Sequence, residues 1–303
     1  MLPRRNILIF HAGALGDFVL SWPLVLALGR LHPQSRIILV THASKGALVE
    51  AALRVESSDI EQGWHGLFAD DVPLGERPAN LVAGAHAIYS FLADEHAMLA
   101  KLTDVKPISL RTIPPADWQR HNSEWLTEQL APQVAVQAGV GQMLRSIATR
   151  GIGTGRSHDG DIVIHPGSGS PSKCWPVERF VKLIERLKKH RREVRVLLGE
   201  VELERFSPEQ IASLEKAANV RRPAKYLDLF NELRSASLLI ANDSGPAHLG
   251  GIMGLPTVAL FGATDPNVWR PLGPRVRVVQ GAAMDKIAVA DVATAANDLL
   301  GAS

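Results

Sequence analysis

Along the chain, short and wholly apolar runs alternate with longer stretches whose apolar residues recur at helical spacing, and glycine or proline separates them. "NILIF" predicts a strand, and a glycine turn then leads into "FVLSWPLVLALGRLHP", a helical stretch that stops at Pro33. "RIILVTH" and "SKGALVEAAL" repeat strand and helix, so the opening segment predicts a β-α-β-α unit with a parallel sheet. Weaker patterns predict a strand at "AHAIYSF" and helices at "DEHAMLAKL" and "NSEWLTEQLA". Residues Thr149 to Gly160, "TRGIGTGRSHDG", have the composition of a loop or hinge. A second series then begins. "DIVIH", "EVRVLLG", "SLLIAND" and "PTVALFG" predict strands; "WPVERFVKLIERLKKH", "YLDLFNELRSA" and Gly245 to Met253 predict helices. The pattern predicts an α/β protein of two doubly wound domains, 1–152 and 153–303, with an interdomain cleft.

Composition narrows the partners. At 303 residues and 46% hydrophobic content the chain can bury a sizeable core in each domain. Lys plus Arg total 33 against 31 for Asp plus Glu, so no whole-chain field draws it to nucleic acid or to an anionic membrane. The basic run "RLKKHRR", 186–192, reads as a solvated helix end whose cations complement the dipole. One cysteine, Cys174, excludes an intramolecular disulfide and a multi-cysteine metal site, and points to a reducing, cytoplasmic compartment. The opening "MLPRRNILIFHAGALG" imitates a secretory leader, but its unbroken apolar part is only Ile7 to Phe10. Asp17 and Pro23 interrupt the longest apolar candidate, so membrane contact is expected to be peripheral at most.

Chemistry concentrates in three loops at predicted strand ends. In the first, His11, Gly13, Gly16 and Asp17 follow "NILIF". A GxGxxG fingerprint would need glycine at position 11, so the dinucleotide signature is incomplete and a nicotinamide dehydrogenase is disfavoured. Asp17 reads locally as a helix cap or as a functional carboxylate. The second, "HPGSGSPSKCWP" at 165–176, offers amides, hydroxyls and Lys173, a set suited to phosphate oxygens and equally to a polar surface turn. Cys174 has no particular histidine marked as its base, and Trp175 with Pro176 reads as a packed helix start. In the third, "NDSGPAHLGGIMGLPTVALFGATDP", Ser244 and Gly245 bring a hydroxyl and free amides to a helix start, with His248 one turn on. No HExxH, paired-carboxylate or CxxC pattern supports a bound metal.

Taken together, "GALGDFVLSWPLVLAL", "HPGSGSPSKCWP" and the third loop are similar in order and spacing to the motifs of glycosyltransferase family 9, the ADP-heptose:lipopolysaccharide heptosyltransferases. The resemblance implies a GT-B fold with two Rossmann-like domains, the acceptor on the first and the donor sugar nucleotide on the second. It matches the family's catalytic aspartate to Asp17 and leaves His11, Gly13 and Gly16 as the acceptor-side loop. Ser168 and Lys173 then contact donor phosphate, and Asp243, Ser244, Gly245 and His248 line the nucleotide and diphosphate region. Glu202, or Glu200 in its place, reaches the ribose.

The implied reaction is inverting and metal-independent, uses no cofactor, and moves a heptose or related sugar from ADP-heptose or a similar donor. The acceptor would be a lipopolysaccharide core or another glycan, free or lipid-linked, met in the cytoplasm or at the inner face of its membrane. Many members carry a basic residue where this chain has His11, so acceptor identity stays open; Arg54, Arg77, Arg111 and Arg120 are available to bind acidic groups. Two other readings stand beside it: a sugar-nucleotide 2-epimerase of similar architecture, and a non-catalytic protein that binds sugar nucleotides or glycans.

Overall fold

The computed structural model describes residues 5–69, 72–92, 99, 101, 103–152, 160–189 and 193–301. These form two compact units, Met1–Trp118 with Asn122–Leu144, and Gln119–His121 with Arg145–Ser303. The division therefore falls before the expected 152/153 boundary, inside the helix Val134–Arg150, and Gln119–His121, just ahead of Asn122, belong to the second unit.

In the first unit the elements run β1 (Asn6–Phe10), α1 (Leu15–Leu20), α2 (Trp22–Leu31), β2 (Arg36–Thr41), α3 (Ala43–Leu53), β3 (Glu56–Asp59), α4 (Glu76–Ala83), β4 (Ala85–Ser90), β5 (Ile108–Ser109) and α5 (Asn122–Gln129). Helix α6 (Val134–Arg150) follows. The sheet order is β3-β2-β1-β4-β5, with every pairing parallel. All five residues of β1 are buried, which is why the strand reads as an apolar run from Ile7 to Phe10 behind Asn6, whose amide donates to Leu81 O. Phe10 meets Trp64 edge to face at 5.1 Å in the core beside it. The single helix expected from Phe18 to Leu31 is broken at Ser21, because Pro23 has no N–H to continue the ladder and the Ser21 hydroxyl donates to Phe18 O at 2.7 Å. The helix expected over 94–102 lies, apart from Leu99 and Lys101, outside the described residues, as does most of the expected hinge.

The second unit repeats the plan with β6 (Ile162–His165), α7 (Val177–Lys188), β7 (Val194–Leu197), α8 (Glu200–Arg205), α9 (Pro208–Ala217), β8 (Asn219–Arg221), α10 (Tyr226–Arg234), β9 (Leu238–Asn242), α11 (Gly245–Met253), β10 (Thr257–Phe261), α12 (Pro266–Trp269), β11 (Val276–Gln280) and α13 (Val289–Gly301). Its order is β11-β10-β9-β6-β7-β8, again all parallel. Helix α7 buries Val177, Phe180, Leu183, Ile184 and Leu187, one face at helical spacing, and leaves Arg186, Lys188 and Lys189 exposed. Within each unit the strand order reverses at one place, between β1 and β4 and between β6 and β9. Ligand sites of open α/β sheets lie at the carboxyl ends of strands beside such a reversal.

Ile240 lies in the middle of β9 with no exposed surface. Ile240→Ala is expected to cost about 2–5 kcal/mol and Ile240→Val about 0.5–1.5 kcal/mol, read from urea unfolding of the second unit, because the close-packed strand relaxes only partly around the missing atoms.

Candidate active site

The first loop is held down by the sheet beneath it. His11 N donates to Val40 O at 3.0 Å, and Phe91 N donates to Phe10 O at 2.9 Å. The His11 ring is wholly buried between Phe18 and Phe91, at centroid distances of 5.3 and 5.0 Å, and neither ring nitrogen has a hydrogen-bond partner. Burial, helped by the charge of Lys45, pushes its pKa down to about 3, so the imidazole is neutral. Gly13 is needed for the close approach, since a Cβ there would stand 3.0 Å from His11 Cε1.

Asp17 is not the helix cap that its local sequence suggested. The first helical bond, Phe18 N to Ala14 O at 2.9 Å, makes Ala14 the cap. Asp17, with Gly16 before it, falls in the first turn, where its half-buried carboxylate suits the helix dipole. Beside it stands a residue that reading motifs missed. Lys45, only 6% exposed, donates from Nζ to Gly13 O at 2.6 Å and Ala12 O at 3.3 Å. Burial lowers its pKa while the charge of Asp17 raises it. The available signal was a lysine among small residues in the first turn after a buried strand. Arg54 and Arg77, expected to be open to acidic acceptor groups, lie at the opposite edge of the sheet: Arg54 caps the end of α3, and Arg77 pairs with Glu56 at the start of β3.

In the second unit the loops after β6 and β9 are stitched together by one buried amide. Asn242 Nδ2 donates to Pro166 O at 2.7 Å and Gly167 O at 3.3 Å, while its Oδ1 accepts from Trp175 N at 3.1 Å. Trp175 is packed, with Nε1 donating to Ile287 O, as a helix start requires. Ser168 Oγ donates to Asp243 O at 2.7 Å. Lys173 is paired with the buried Asp243 carboxylate at 2.7 Å. Arg205, also missed, donates to Ser168 O and Gly169 O, each at 3.1 Å.

Ser244 and Gly245 open α11, and the buried Ser244 Oγ and His248 Nδ1 have no hydrogen-bond partner. Burial first, then the charges of His121 and Lys173, push His248 down to about 4 against the pull of Asp243. His121, anchored by its Nε2 on Arg270 O at 2.8 Å, comes from none of the motifs. The structure thus brings Ser168, Lys173, Asp243, Ser244, Gly245 and His248 into one cluster.

Glu202 is turned inward. Its Oε2 accepts from Gly199 N at 2.7 Å and lies 3.6 Å from His165 Nε2, and a Cβ on Gly167 would overlap its carboxylate. Burial pushes His165 down against the charge of that partner. Glu200, two residues earlier in α8, is exposed. Burial also raises the Cys174 thiol, which leaves it a poor nucleophile. Among the described residues no group of three or more His, Cys, Asp or Glu is placed to hold a metal, and no helix is long and apolar enough to cross a membrane.

The buried histidines tie stability to pH. The folded pKa of His11 lies below its unfolded value of 6.5, so the unfolded chain takes up the proton first and stability falls as pH drops from 6.5 towards about 3. Stability should fall over that window by up to about 1.4 kcal/mol per pH unit. His11→Leu, which removes two unpartnered nitrogens, should flatten the slope in denaturant titrations at pH 7 and pH 4.5.

The comparisons agree with this architecture. The chain is 22% identical to lipopolysaccharide heptosyltransferase 3 of Escherichia coli over 294 residues, 84% of this chain and 83% of the relative. The crystal structure of a family 9 glycosyl transferase from Veillonella parvula superposes with a TM-score of 0.74 at 20% identity, over 100% of this chain and 99% of that one. E. coli heptosyltransferase WaaC with ADP gives a TM-score of 0.68 at 14% identity, over 97% of this chain and 99% of that one. Both sheets and their helices are therefore those of the GT-B heptosyltransferase structures. Residues 121–294, which carry the second and third loops, match the family itself: the chain belongs to glycosyltransferase family 9, the heptosyltransferases.

Proposed function

We propose that this glycosyltransferase moves a heptose or a closely related sugar from an ADP-type sugar nucleotide to a lipopolysaccharide core or similar glycan, with inversion and without a metal. The observation that carries the reading is the cluster at the β6/β9 reversal. It gathers a lysine, a paired carboxylate, buried hydroxyl and imidazole groups without partners, and the start of α11. The WaaC structure was solved with ADP, and the E. coli relative is named for lipopolysaccharide; these names set the donor and acceptor proposed here. The acceptor would be met in the cytoplasm or at the inner face of its membrane.

In this reading the acceptor hydroxyl attacks the anomeric carbon from the face opposite the diphosphate, and its proton passes to the Asp17 carboxylate. The bond from that carbon to the phosphate oxygen breaks, and its electron pair leaves on the nucleoside diphosphate. Lys173, exchanging Asp243 for phosphate, and the amides that open α11 balance the charge that develops. Glu202 serves the site from beneath, by ordering Gly167 and Gly199.

Two substitutions test the assignment. Asp17→Asn should lower transfer about 10²–10⁴-fold while ADP affinity stays within about twofold, as expected when a general base is removed; turnover at the normal rate would take the base role away from Asp17. Lys173→Ala should weaken ADP binding, measured by calorimetry, about tenfold or more, the loss of one hydrogen bond to a charged group. An unchanged affinity would remove Lys173 from the phosphate site.

A further inference from the structure

We propose that Lys45 is a positioning residue for the base, anchoring the loop between β1 and α1 through two of its carbonyls and setting a positive charge beside Asp17, whose Cβ lies 3.8 Å from where a Cβ on Gly13 would stand. This rests on Asp17 acting as the base. A lysine in the first turn of a helix opposes the dipole, and burying its ammonium adds a desolvation cost, so fold stability gives little reason for one at this place. What offsets the cost is local: the carbonyls of Ala12 and Gly13, and the charge of Asp17. Those two carbonyls belong to the turn immediately ahead of Ala14, the residue that caps α1, so the ammonium fixes where the helix carrying Asp17 begins.

The described titratable groups on the adjoining elements leave this charge pairing in place. His11, at the end of β1, is buried and neutral in the working pH range. His42, which caps α3, is half-buried and lies 3.2 Å from Glu61. Phe91, which directly follows β4, is apolar. A cation beside a carboxylate favours its charged form. Without it, the carboxylate takes up a proton at higher pH and stops accepting one from the acceptor.

The test is the pH profile of transfer between pH 5 and 8, with ADP-heptose as donor and a truncated lipopolysaccharide core as acceptor, alongside ADP calorimetry. Lys45→Met should lower kcat about tenfold or more and move the acid limb of kcat/KM up by about one pH unit, the lower end of what a neighbouring charge does. ADP affinity should be unchanged. Lys45→Arg keeps the charge and should leave the acid limb at the wild-type position even if kcat falls, and it stands in if the methionine variant does not fold. An acid limb that stays put in Lys45→Met, or moves equally in Lys45→Arg, overturns the proposal. Asp17→Asn separates the two readings: if it transfers normally the base assignment itself fails, and if it is inactive while the Lys45→Met limb is unmoved only the role of Lys45 fails.

Discussion

Every described strand pairing in both sheets is parallel, and that constraint governs the rest. A parallel strand cannot turn straight back, so each connection crosses over a face and all strands end at one edge. Loops with chemistry therefore gather at that edge without any further instruction. In the first unit the loop after β1 receives Lys45 from the helix after β2. In the second, the loop after β6 receives Asn242 and Asp243 from the end of β9. Side chains far apart in sequence become neighbours because their strands are neighbours in the sheet.

The two edges use lysine differently. Lys45 is buried and spends its ammonium on neutral carbonyls, which orders backbone. Lys173 is more exposed and holds a carboxylate that a diphosphate can replace. One charge is structural scaffolding for a proton acceptor, while the other is held ready for an anion.

The sequence showed the central strands and the three loops because both follow local rules. Strands β1, β2, β9 and β10 are buried on both faces and so are almost wholly apolar, and glycine-rich turns mark their ends. The edge strands were not legible. "ESSD" of β3, the two-residue β5 and "NVR" of β8 carry no hydrophobic alternation, and they are strands only because an inner neighbour supplies hydrogen bonds. Lys45 was hidden for a similar reason: a lysine early in a helix looks like a solvated surface residue until the sheet puts Gly13 O against it. The helix break at Ser21 and the placement of Asp17 after Ala14 depend on hydrogen bonds within one or two turns, too fine for apolar periodicity to resolve.

Gly167 carries a last consequence. Its motif reads as a phosphate loop, where a glycine counts as room for a ligand, yet the space a side chain would need is already filled from inside by the carboxylate of Glu202. The two positions are therefore coupled sterically: a shorter residue at 202 opens volume at 167, and any side chain at 167 evicts the acid. Lineages that keep this loop should vary the pair together, so covariation there would report internal packing even where no contact with substrate is at stake.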